Sequence, residues 1–376
     1  MKNLIPISLL CLLIGCKSYE SGLEIKTISI SPDPTVAEAE NYFEEIRPIQ
    51  LKGLDTPLSI YRVLPHTNGY YLLDGNKKSV WTSDGNGNSS KLTESMGEGP
   101  GEYQEIWDLK LNPESNELFI LDRKLSKMLV FSASANFVKE IPIKKEYVSS
   151  ILSFWFIDGN AILFQTSGTS GYKFLKYGIS SNKFEFEVPI DKELEALGFG
   201  NDRSMSFLND QVSLIYSISN KIERYGKVLS RKEDLFLDFQ SFKISETELK
   251  EVANDQNLMF DLIQNDENKK AHSFLLEETD SYYVLSYYLG SFRNGDFLKS
   301  IIDKSTGDSR TWKSIKIDGI EVDFLLIGKK EGNELIFTVN SEQLERMTAS
   351  QVQAISKKLK IPIEQDKPLL IFCTPK

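Results

Sequence analysis

Two stretches of sequence decide the fold: Gly69–Gly87 (GYYLLDGNKKSVWTSDGNG) and Asn116–Asn136 (NELFILDRKLSKMLVFSASAN). Each contains a β-rich run ending in Leu-Asp, a polar turn with lysine, a second β-rich run, and a turn with Gly or Asn. The two aspartates, Asp74 and Asp122, are 48 residues apart. Runs of β-branched and aromatic residues between such turns are typical of strands. The chain therefore carries a repeated unit of strands with a period near 48 residues.

Weaker copies of this unit continue to the end of the chain, and an apolar run precedes each copy. These apolar runs lie at spacings of 47, 47, 53, 67 and 50 residues, near Ile60, Trp107, Phe154, Phe207, Phe274 and Phe324. Four-stranded blades of ~40–50 residues are the period of a β-propeller, whose blades bury their faces only by stacking around a ring. The sequence predicts an all-β, six-bladed β-propeller over residues 46–376.

Two segments interrupt the strand pattern with helix signals. Ser245–Asn257 (SETELKEVANDQN) begins with Ser and has Glu three residues later, which predicts a capping box and a helical insertion over 245–270. Thr348 predicts the N-cap of a second helix over Ala349–Leu359, inside the last blade. The last blade then lacks one strand, and Ile46–Leu51 predicts it. This N-terminal strand closure would join the two ends of the ring and remove exposed strand edges.

The N-terminus predicts export and lipid attachment. Lys2 is followed by an apolar run of 11 residues, Leu4–Ile14, which is shorter than the ~20 residues needed to span a bilayer. The run ends in Leu13-Ile14-Gly15-Cys16, which resembles the bacterial lipobox. This resemblance implies a signal peptide over residues 1–15 and acylation of Cys16, so that the lipid would hold the protein on the membrane.

Residues 16–45 are predicted to form a lipidated, mostly extended tether. Lys17 stands after Cys16 in place of the Asp that retains lipoproteins at the inner membrane, which favours the outer membrane of the cell envelope. The sequence leaves open whether the body faces the periplasm or the outside. After signal removal and acylation, Cys373 is the remaining free cysteine, which predicts that no intramolecular disulfide forms.

Composition excludes several function classes. The net charge of −10 argues against nucleic acid as a partner, because a phosphate backbone needs a basic footprint. His66 and His272 are the two histidines of the chain, and neither stands beside a recognisable nucleophile. The sequence has no G-x-S-x-G elbow and no H-E-x-x-H motif. We therefore expect no bound metal, no cofactor and no catalytic activity.

A glycine-rich heptapeptide follows the first blade: Gly97, Glu98, Gly99, Pro100, Gly101, Glu102 and Tyr103. With the lipobox and the repeats, it resembles the six-bladed β-propeller lipoproteins of Bacteroidota, whose repeats are NHL-like. The resemblance implies the fold and the envelope location, and it implies little about chemistry. From its residues, the heptapeptide predicts a sharp turn between two blades, with an anion nest as the alternative.

Inner strands line the channel of a propeller, and candidate ligand-binding side chains lie on or beside them. These candidates are Arg62, Trp107, Asp108, Trp155 and Asp158. Because side chains alternate along a strand, about half would point into the packing between blades. A second candidate, Asp84–Asn88 (DGNGN), has oxygen ligands at alternate positions like the start of a calcium loop, and it equally predicts a strand-to-strand turn.

The combined pattern favours a non-catalytic binding or scaffolding module of the cell envelope, with a protein or glycan as its partner. The alternative is a calcium-assisted lactonase or lyase of the NHL or gluconolactonase-like propeller kind. Such an enzyme needs Asp, Asn or Glu ligands, and often His, at the mouth of the channel.

Overall fold

A computed structural model of the chain describes residues 24–54, 59–76, 79–92, 96–192, 194 and 201–376. The predicted signal peptide over residues 1–15, the lipidation site Cys16 and the first part of the tether lie outside the described residues. Among the described residues, no helix is both long enough and apolar enough to cross a bilayer.

Six antiparallel sheets form the blades of a propeller, and smaller elements decorate them. Three strands precede the first complete blade: β1 (Glu24–Ser29), β2 (Val36–Glu38) and β3 (Phe43–Gln50). Blade 1 consists of β4 (Ile60–His66), β5 (Gly69–Asp74), β6 (Val80–Asp84) and β7 (Ser89–Lys91). Blade 2 consists of β8 (Ile106–Leu111), β9 (Leu118–Asp122), β10 (Lys127–Phe131) and β11 (Phe137–Pro142). Blade 3 consists of β12 (Ile151–Asp158), β13 (Ala161–Thr166), β14 (Tyr172–Gly178) and β15 (Lys183–Pro189).

The second half of the ring follows the same plan. Blade 4 consists of β16 (Met205–Leu208), β17 (Gln211–Ile215), β18 (Lys221–Gly226) and β19 (Arg231–Asp238). Blade 5 consists of β20 (Ala271–Glu278), β21 (Tyr282–Leu289), β22 (Asp296–Asp303) and β23 (Ser309–Trp312). A hairpin of β24 (Ser314–Ile317) and β25 (Ile320–Val322) connects it to blade 6. Blade 6 consists of β26 (Leu325–Lys329), β27 (Leu335–Val339), β28 (Leu369–Pro375) and β3.

The predicted inner strands are confirmed. The first strands of the six blades, β4, β8, β12, β16, β20 and β26, begin at or within three residues of the predicted apolar runs. The N-terminal closure is confirmed as well, because β3 pairs antiparallel with β28 from Phe43 opposite Pro375 to Gln50 opposite Leu369. The last blade is therefore completed by a strand from the other end of the chain.

Both predicted helical insertions are present. Helices Glu246–Asn254 and Gln256–Ile263 lie between blades 4 and 5, and Ser245 and Glu248 form the predicted capping box. Helix Ala349–Leu359 lies between β27 and β28 with Thr348 as its N-cap. Shorter helices occur at Ala39–Tyr42, Lys145–Val148 and Ser341–Glu345, with a 3₁₀ turn at Gln240–Phe242.

The strand order places these insertions on one face of the ring. The four strands of a blade alternate in direction. The loop that joins the second strand of a blade to its third strand therefore lies on the same face of the ring as the loop that joins the fourth strand to the next blade. The helices between blades 4 and 5 lie in a loop that joins one blade to the next. Helix Ala349–Leu359 lies in the loop that joins the second and third strands of blade 6. We call this side the insertion face.

The described part of the segment predicted as a mostly extended tether, residues 24–45, is docked on the ring. Strand β1 pairs in parallel with β19 at the rim of blade 4, and β2 pairs in parallel with β24 beside blade 5. Thr35, just before β2, and Tyr42, just after it, donate hydrogen bonds through Oγ1 and OH to Thr311 O in the outer strand of blade 5. We call residues 24–50 the belt, because they run along the rims of blades 4, 5 and 6.

Apolar burial is the physical reason why the belt stays on the propeller. Ile28 and Ile30 are fully buried in a cluster with Leu235, Leu237 and Phe239 of blade 4. Ile25 of the same strand is 65% exposed. Alternation along β1 thus gives one face that packs on the ring and one that contacts solvent.

The belt predicts a contrast between two isoleucines of one strand. Ile28→Ala should lower the free energy of unfolding by ~2–5 kcal/mol, because it opens a cavity in a closed cluster. Ile25→Ala should change it by about 0.5 kcal/mol or less, because that side chain is mostly in solvent. Urea unfolding of both variants measures the difference, and equal values would mean that β1 is not docked in solution.

Candidate functional site

The channel side of the inner strands holds a buried ionic cluster centred on Asp108. The Asp108 side chain is fully buried, and it forms ion pairs with Arg62 and Lys110. It also accepts hydrogen bonds from Ser153 Oγ at 2.9 Å and from Phe154 N at 3.2 Å. The carboxylate therefore connects the inner strands of blades 1, 2 and 3.

Arg62 extends this cluster to blade 4. One of its terminal nitrogens pairs with Asp108, and Nη2 donates to the backbone oxygen of Asp202 at 2.9 Å. Burial opposes the charge of Arg62, but the nearby carboxylates of Asp108 and Asp202 outweigh it and raise the pKa of the guanidinium. Lys110 is shifted the other way: burial and the neighbouring Arg62 lower its pKa to about 8.

The two predicted tryptophans pack between blades. Trp107 Nε1 donates to Leu152 O of blade 3 at 2.6 Å, and the Arg123 guanidinium lies 4.0 Å from the centre of its ring. Trp155 Nε1 donates to Met205 O of blade 4 at 3.3 Å, and its ring also lines the channel. Each half-buried indole therefore bridges its own blade to the next one.

Asp158 is not part of the cluster. It lies at the end of β12, where its carboxylate accepts the backbone N–H of Asn160 in the turn to β13. The pairing of β12 with β13 shifts register between Phe156 and Asp158. The prediction that places Asp158 with the channel-lining residues is therefore wrong, because it caps a hairpin at the opposite end of the strand from Ser153.

Sequence reasoning missed five further charged side chains of the channel. The cavity is lined by Lys110, Asp202, Arg203, Glu277 and Lys329 in addition to Arg62 and Trp155. Lys110 could have been found, because it stands two residues after Asp108 and period-two alternation puts both on one side of β8. The others come from blades 4, 5 and 6, and nothing in the linear sequence shows that they meet.

The channel cavity is small. Its volume is about 140 Å³, whereas sites for drug-sized ligands occupy ~300–1,000 Å³. Long cationic side chains from several blades fill the space that the ring encloses. A sugar ring or peptide therefore does not fit among the predicted channel residues as they stand.

A larger groove lies at the insertion face of blade 4. Its volume is about 640 Å³, within the usual range for a ligand site. Its walls come from the belt, the loop after β17, the end of β19 and the start of helix Glu246–Asn254. Both apolar and polar residues line it, among them Thr27, Ile218, Asn220, Lys221, Phe236, Asp238, Lys243, Ser245, Glu246, Leu249 and Lys250.

Two features of the groove suit a ligand with both apolar and hydrogen-bonding groups. Phe236 is 38% exposed, which leaves part of its ring available for stacking. Asn220 Nδ2 donates to Ile244 O at 2.7 Å, whereas Asn220 Oδ1 is buried without a hydrogen-bond partner among the described residues. An unsatisfied buried acceptor favours a bound donor or water at that point.

The glycine-rich heptapeptide forms the turn between β7 and β8, as predicted. The Glu102 carboxylate accepts Gly99 N at 2.7 Å, and the Glu140 carboxylate accepts Gly101 N at 2.9 Å. Gly101 has a φ of +77°, a conformation that favours glycine. The carboxylates of Glu102 and Glu140 thus accept the backbone N–H groups that an anion nest would offer to a ligand.

The rest of the heptapeptide secures this turn. Gly97 N donates to Tyr103 O at 3.0 Å, and the Tyr103 ring is fully buried. Glu98 and Pro100 are exposed, and Glu98 accepts a hydrogen bond from Gln104 Nε2. The motif anchors one blade to the next through a buried tyrosine.

The Asp84 segment is a tight turn between β6 and β7. The Asp84 carboxylate accepts Asn86 N, Asn88 N and Asn88 Nδ2 at 2.8–2.9 Å. These hydrogen bonds, with that of the Asn88 side chain foremost, lower the pKa of Asp84. Within the described ranges, no three His, Cys, Asp or Glu side chains are grouped closely enough to hold a metal ion.

The comparisons identify the family. A family model described as "6-bladed beta-propeller" matches residues 20–337, so the chain belongs to this family of six-bladed β-propellers. No curated protein matches the chain.

Solved structures agree with this fold. A Bacteroides fragilis protein assigned as exported is 19% identical, with a TM-score of 0.75, over 93% of this chain and 100% of its own. A Bacteroides vulgatus protein is 9% identical, with a TM-score of 0.51, over 89% and 97% of the two chains. Virginiamycin B lyase from Staphylococcus aureus reaches a TM-score of 0.43 at 11% identity, over 78% and 81%. These likenesses concern the fold, and the last is too weak to bear on chemistry.

Asp108 and Asp158 make a matched pair for testing the ionic cluster. Asp108→Asn should lower the free energy of unfolding by ~3–5 kcal/mol, because it leaves Arg62 and Lys110 buried without their counter-charge. Asp158→Asn should cost less than ~1 kcal/mol, because an amide oxygen can still accept the Asn160 N–H. Chemical denaturation of the two variants gives both values, and a small effect of Asp108→Asn would contradict the assigned central role.

Proposed function

We propose that this protein is a non-catalytic binding module of the cell envelope, held on the membrane by a lipid on Cys16. Its ligand is a glycan or a peptide segment of a protein partner. The observation that carries this proposal is the contrast between the filled channel, with about 140 Å³ free, and the open groove of about 640 Å³ at blade 4. Charged side chains fill most of the ring centre, and the groove offers the space for a ligand as large as a glycan or peptide segment.

The belt supports a close attachment to the membrane. Cys16 precedes Glu24, the first residue of β1, by eight positions. Eight residues of fully extended chain span at most ~26–29 Å. A lipid at Cys16 would therefore keep the rim of blade 4 within that distance of the bilayer, because the following residues are bound to the ring.

The proposed anchor is tested by fractionation of cells that produce two cysteine variants. Cys16→Ala should move the protein from the membrane fraction to the soluble fraction, because the described residues contain no helix that could span the membrane. Cys11→Ala, inside the proposed signal peptide, should leave the protein in the membrane fraction. A Cys16→Ala protein that still sediments with membranes after a high-salt wash would refute the lipid anchor.

The groove is tested with two exposed phenylalanines as a matched pair. Phe236→Ala removes the exposed ring of the groove, whereas Phe292→Ala removes a ring that is 45% exposed on blade 5. The probes are a panel of envelope polysaccharide fragments and a library of extended peptides. Phe236→Ala should weaken binding at least tenfold, equivalent to ~1.4 kcal/mol, and Phe292→Ala should not weaken it.

The result also decides between the two ligand classes. Saturable binding of saccharide fragments that is lost in Phe236→Ala identifies a glycan ligand, and the same result with peptides identifies a protein partner. Equal losses in both variants, or binding of neither probe class, would refute the groove as the ligand site.

A further inference from the structure

The cavity inside the channel has a surplus of positive side chains. Its lining includes four cationic residues and two carboxylates: Arg62, Lys110, Arg203, Lys329, Asp202 and Glu277. This excess occurs in a chain whose overall net charge is −10. The buried Asp108 carboxylate also pairs with Arg62 and Lys110, so four cations stand against three carboxylates at this point.

Three of the four cations have acceptors for their donor groups, and Lys110 is one of them through both oxygens of Asp108. Arg62 is bound by Asp108 and by the backbone oxygen of Asp202. Lys329 Nζ donates to Glu278 O and, at 3.2 Å, to Ser206 Oγ. These side chains are held by the walls of the ring.

Arg203 differs from them. Its side chain is 7% exposed, and within the part of the chain that the structure describes, its buried Nη2 has no hydrogen-bond acceptor. The Glu277 carboxylate oxygen lies 3.9 Å from Nη2, which is too far for a hydrogen bond. A buried guanidinium N–H without an acceptor is costly, and it marks a place where an acceptor is missing.

A second cation of the cavity, Lys110, is already paired with Asp108 but is also close enough to Arg62 to be repelled by it. Lys110 Nζ contacts both oxygens of Asp108, at 3.0 and 3.2 Å, and lies 4.4 Å from the ring centre of Trp155. Arg62 lowers the pKa of both Lys110 and Arg203, in addition to the larger effect of burial on each. Arg62 thus repels both Lys110 and Arg203, and one further negative charge beside them would relieve that repulsion.

We propose that the channel cavity binds one small anion, of the size of chloride or a short carboxylate such as formate or acetate, with Arg203 Nη2 as a direct donor. A cavity of about 140 Å³ admits such an ion with a few waters. The site is distinct from the blade 4 groove, so either proposal can fail without the other. The bound ion would tie blades 1, 2 and 4 together at the ring centre.

The experiment measures the melting temperature of the full chain at constant ionic strength. Sodium gluconate, whose anion is too bulky for the cavity, is replaced stepwise by sodium chloride, formate or acetate. The melting temperature should rise and saturate, because an ion that binds only the folded state stabilises it. The anion that saturates at the lowest concentration identifies the preferred ligand.

Two arginine variants separate this site from general salt effects. Arg203→Gln removes the proposed donor and should abolish the saturable rise. Arg346→Gln changes an arginine whose side chain is 76% exposed on the surface, and it should keep the rise. A rise of equal size in Arg203→Gln and the wild type would overturn the proposal, as would the absence of any rise in the wild type.

A third variant makes a prediction in the opposite direction. Glu277→Gln removes the carboxylate nearest to Arg203 Nη2, so a bound anion no longer shares the cavity with that charge. The melting temperature in gluconate should fall, and the half-saturating anion concentration should fall several-fold. Weaker anion binding in Glu277→Gln than in the wild type would overturn the proposal.

If Arg203→Gln does not fold, crystals of the wild-type protein grown in bromide replace it. Bromide should give an anomalous scattering peak within hydrogen-bond distance of Arg203 Nη2. A channel without such a peak, at a bromide concentration that saturates the thermal shift, would overturn the proposal.

Discussion

Seven backbone pairs between β3 and β28 close the ring, and the rest of the structure depends on them. Each blade buries its faces only against its neighbours, so an open ring would expose the faces of blades 1 and 6 together with a strand edge. The chain meets this constraint by using its N-terminal end as the outer strand of its last blade. Because β3 lies at the rim of blade 6, the belt residues that precede it lie along the rims of blades 5 and 4.

Buried ion pairs also connect neighbouring blades at their interfaces. Lys173 of blade 3 pairs with Glu223 of blade 4 at 2.5 Å, and both side chains are 1% exposed. Lys299 of blade 5 pairs with Asp323, before blade 6, at 2.6 Å. A buried pair adds little net stability, but a slipped register would leave its charges unmatched. The Lys173–Glu223 pair lies between the third strands of neighbouring blades, and the Asp108 cluster lies between inner strands, so charged contacts favour one way of stacking the blades.

The sequence predicts the fold well because a propeller is a local repeat. The Leu-Asp units around Asp74 and Asp122, the inner strand near each apolar run and the capping box at Ser245 all depend on residues close together in the chain. The belt could not be predicted in the same way. Strand β1 pairs with β19, about two hundred positions later, and its alternating isoleucines indicate a strand without indicating its partner.

The candidate site was predictable only in part, for a related reason. Alternation assigns side chains to one of two faces, and it does not say which face meets the channel. In β4 and β8, a register shift falls immediately around Arg62 and Asp108, and such shifts re-aim the side chains that follow. Asp158 follows a similar shift and points away from the cluster. Arg203 and Glu277 join the cluster only because six blades converge.

The belt also connects the two halves of the proposed function. Thr27 of β1 lines the blade 4 groove, and Thr27 is opposite Phe236 in the parallel pairing of β1 with β19. The strand nearest to the proposed lipid is therefore a wall of the proposed ligand site. A ligand in this groove would lie close to the membrane surface. A ligand that contacts β1 would also stabilise the packing of β1 on the ring. The proposed anchoring and ligand binding would thus both depend on one strand, which packs on blade 4 through Ile28 and Ile30.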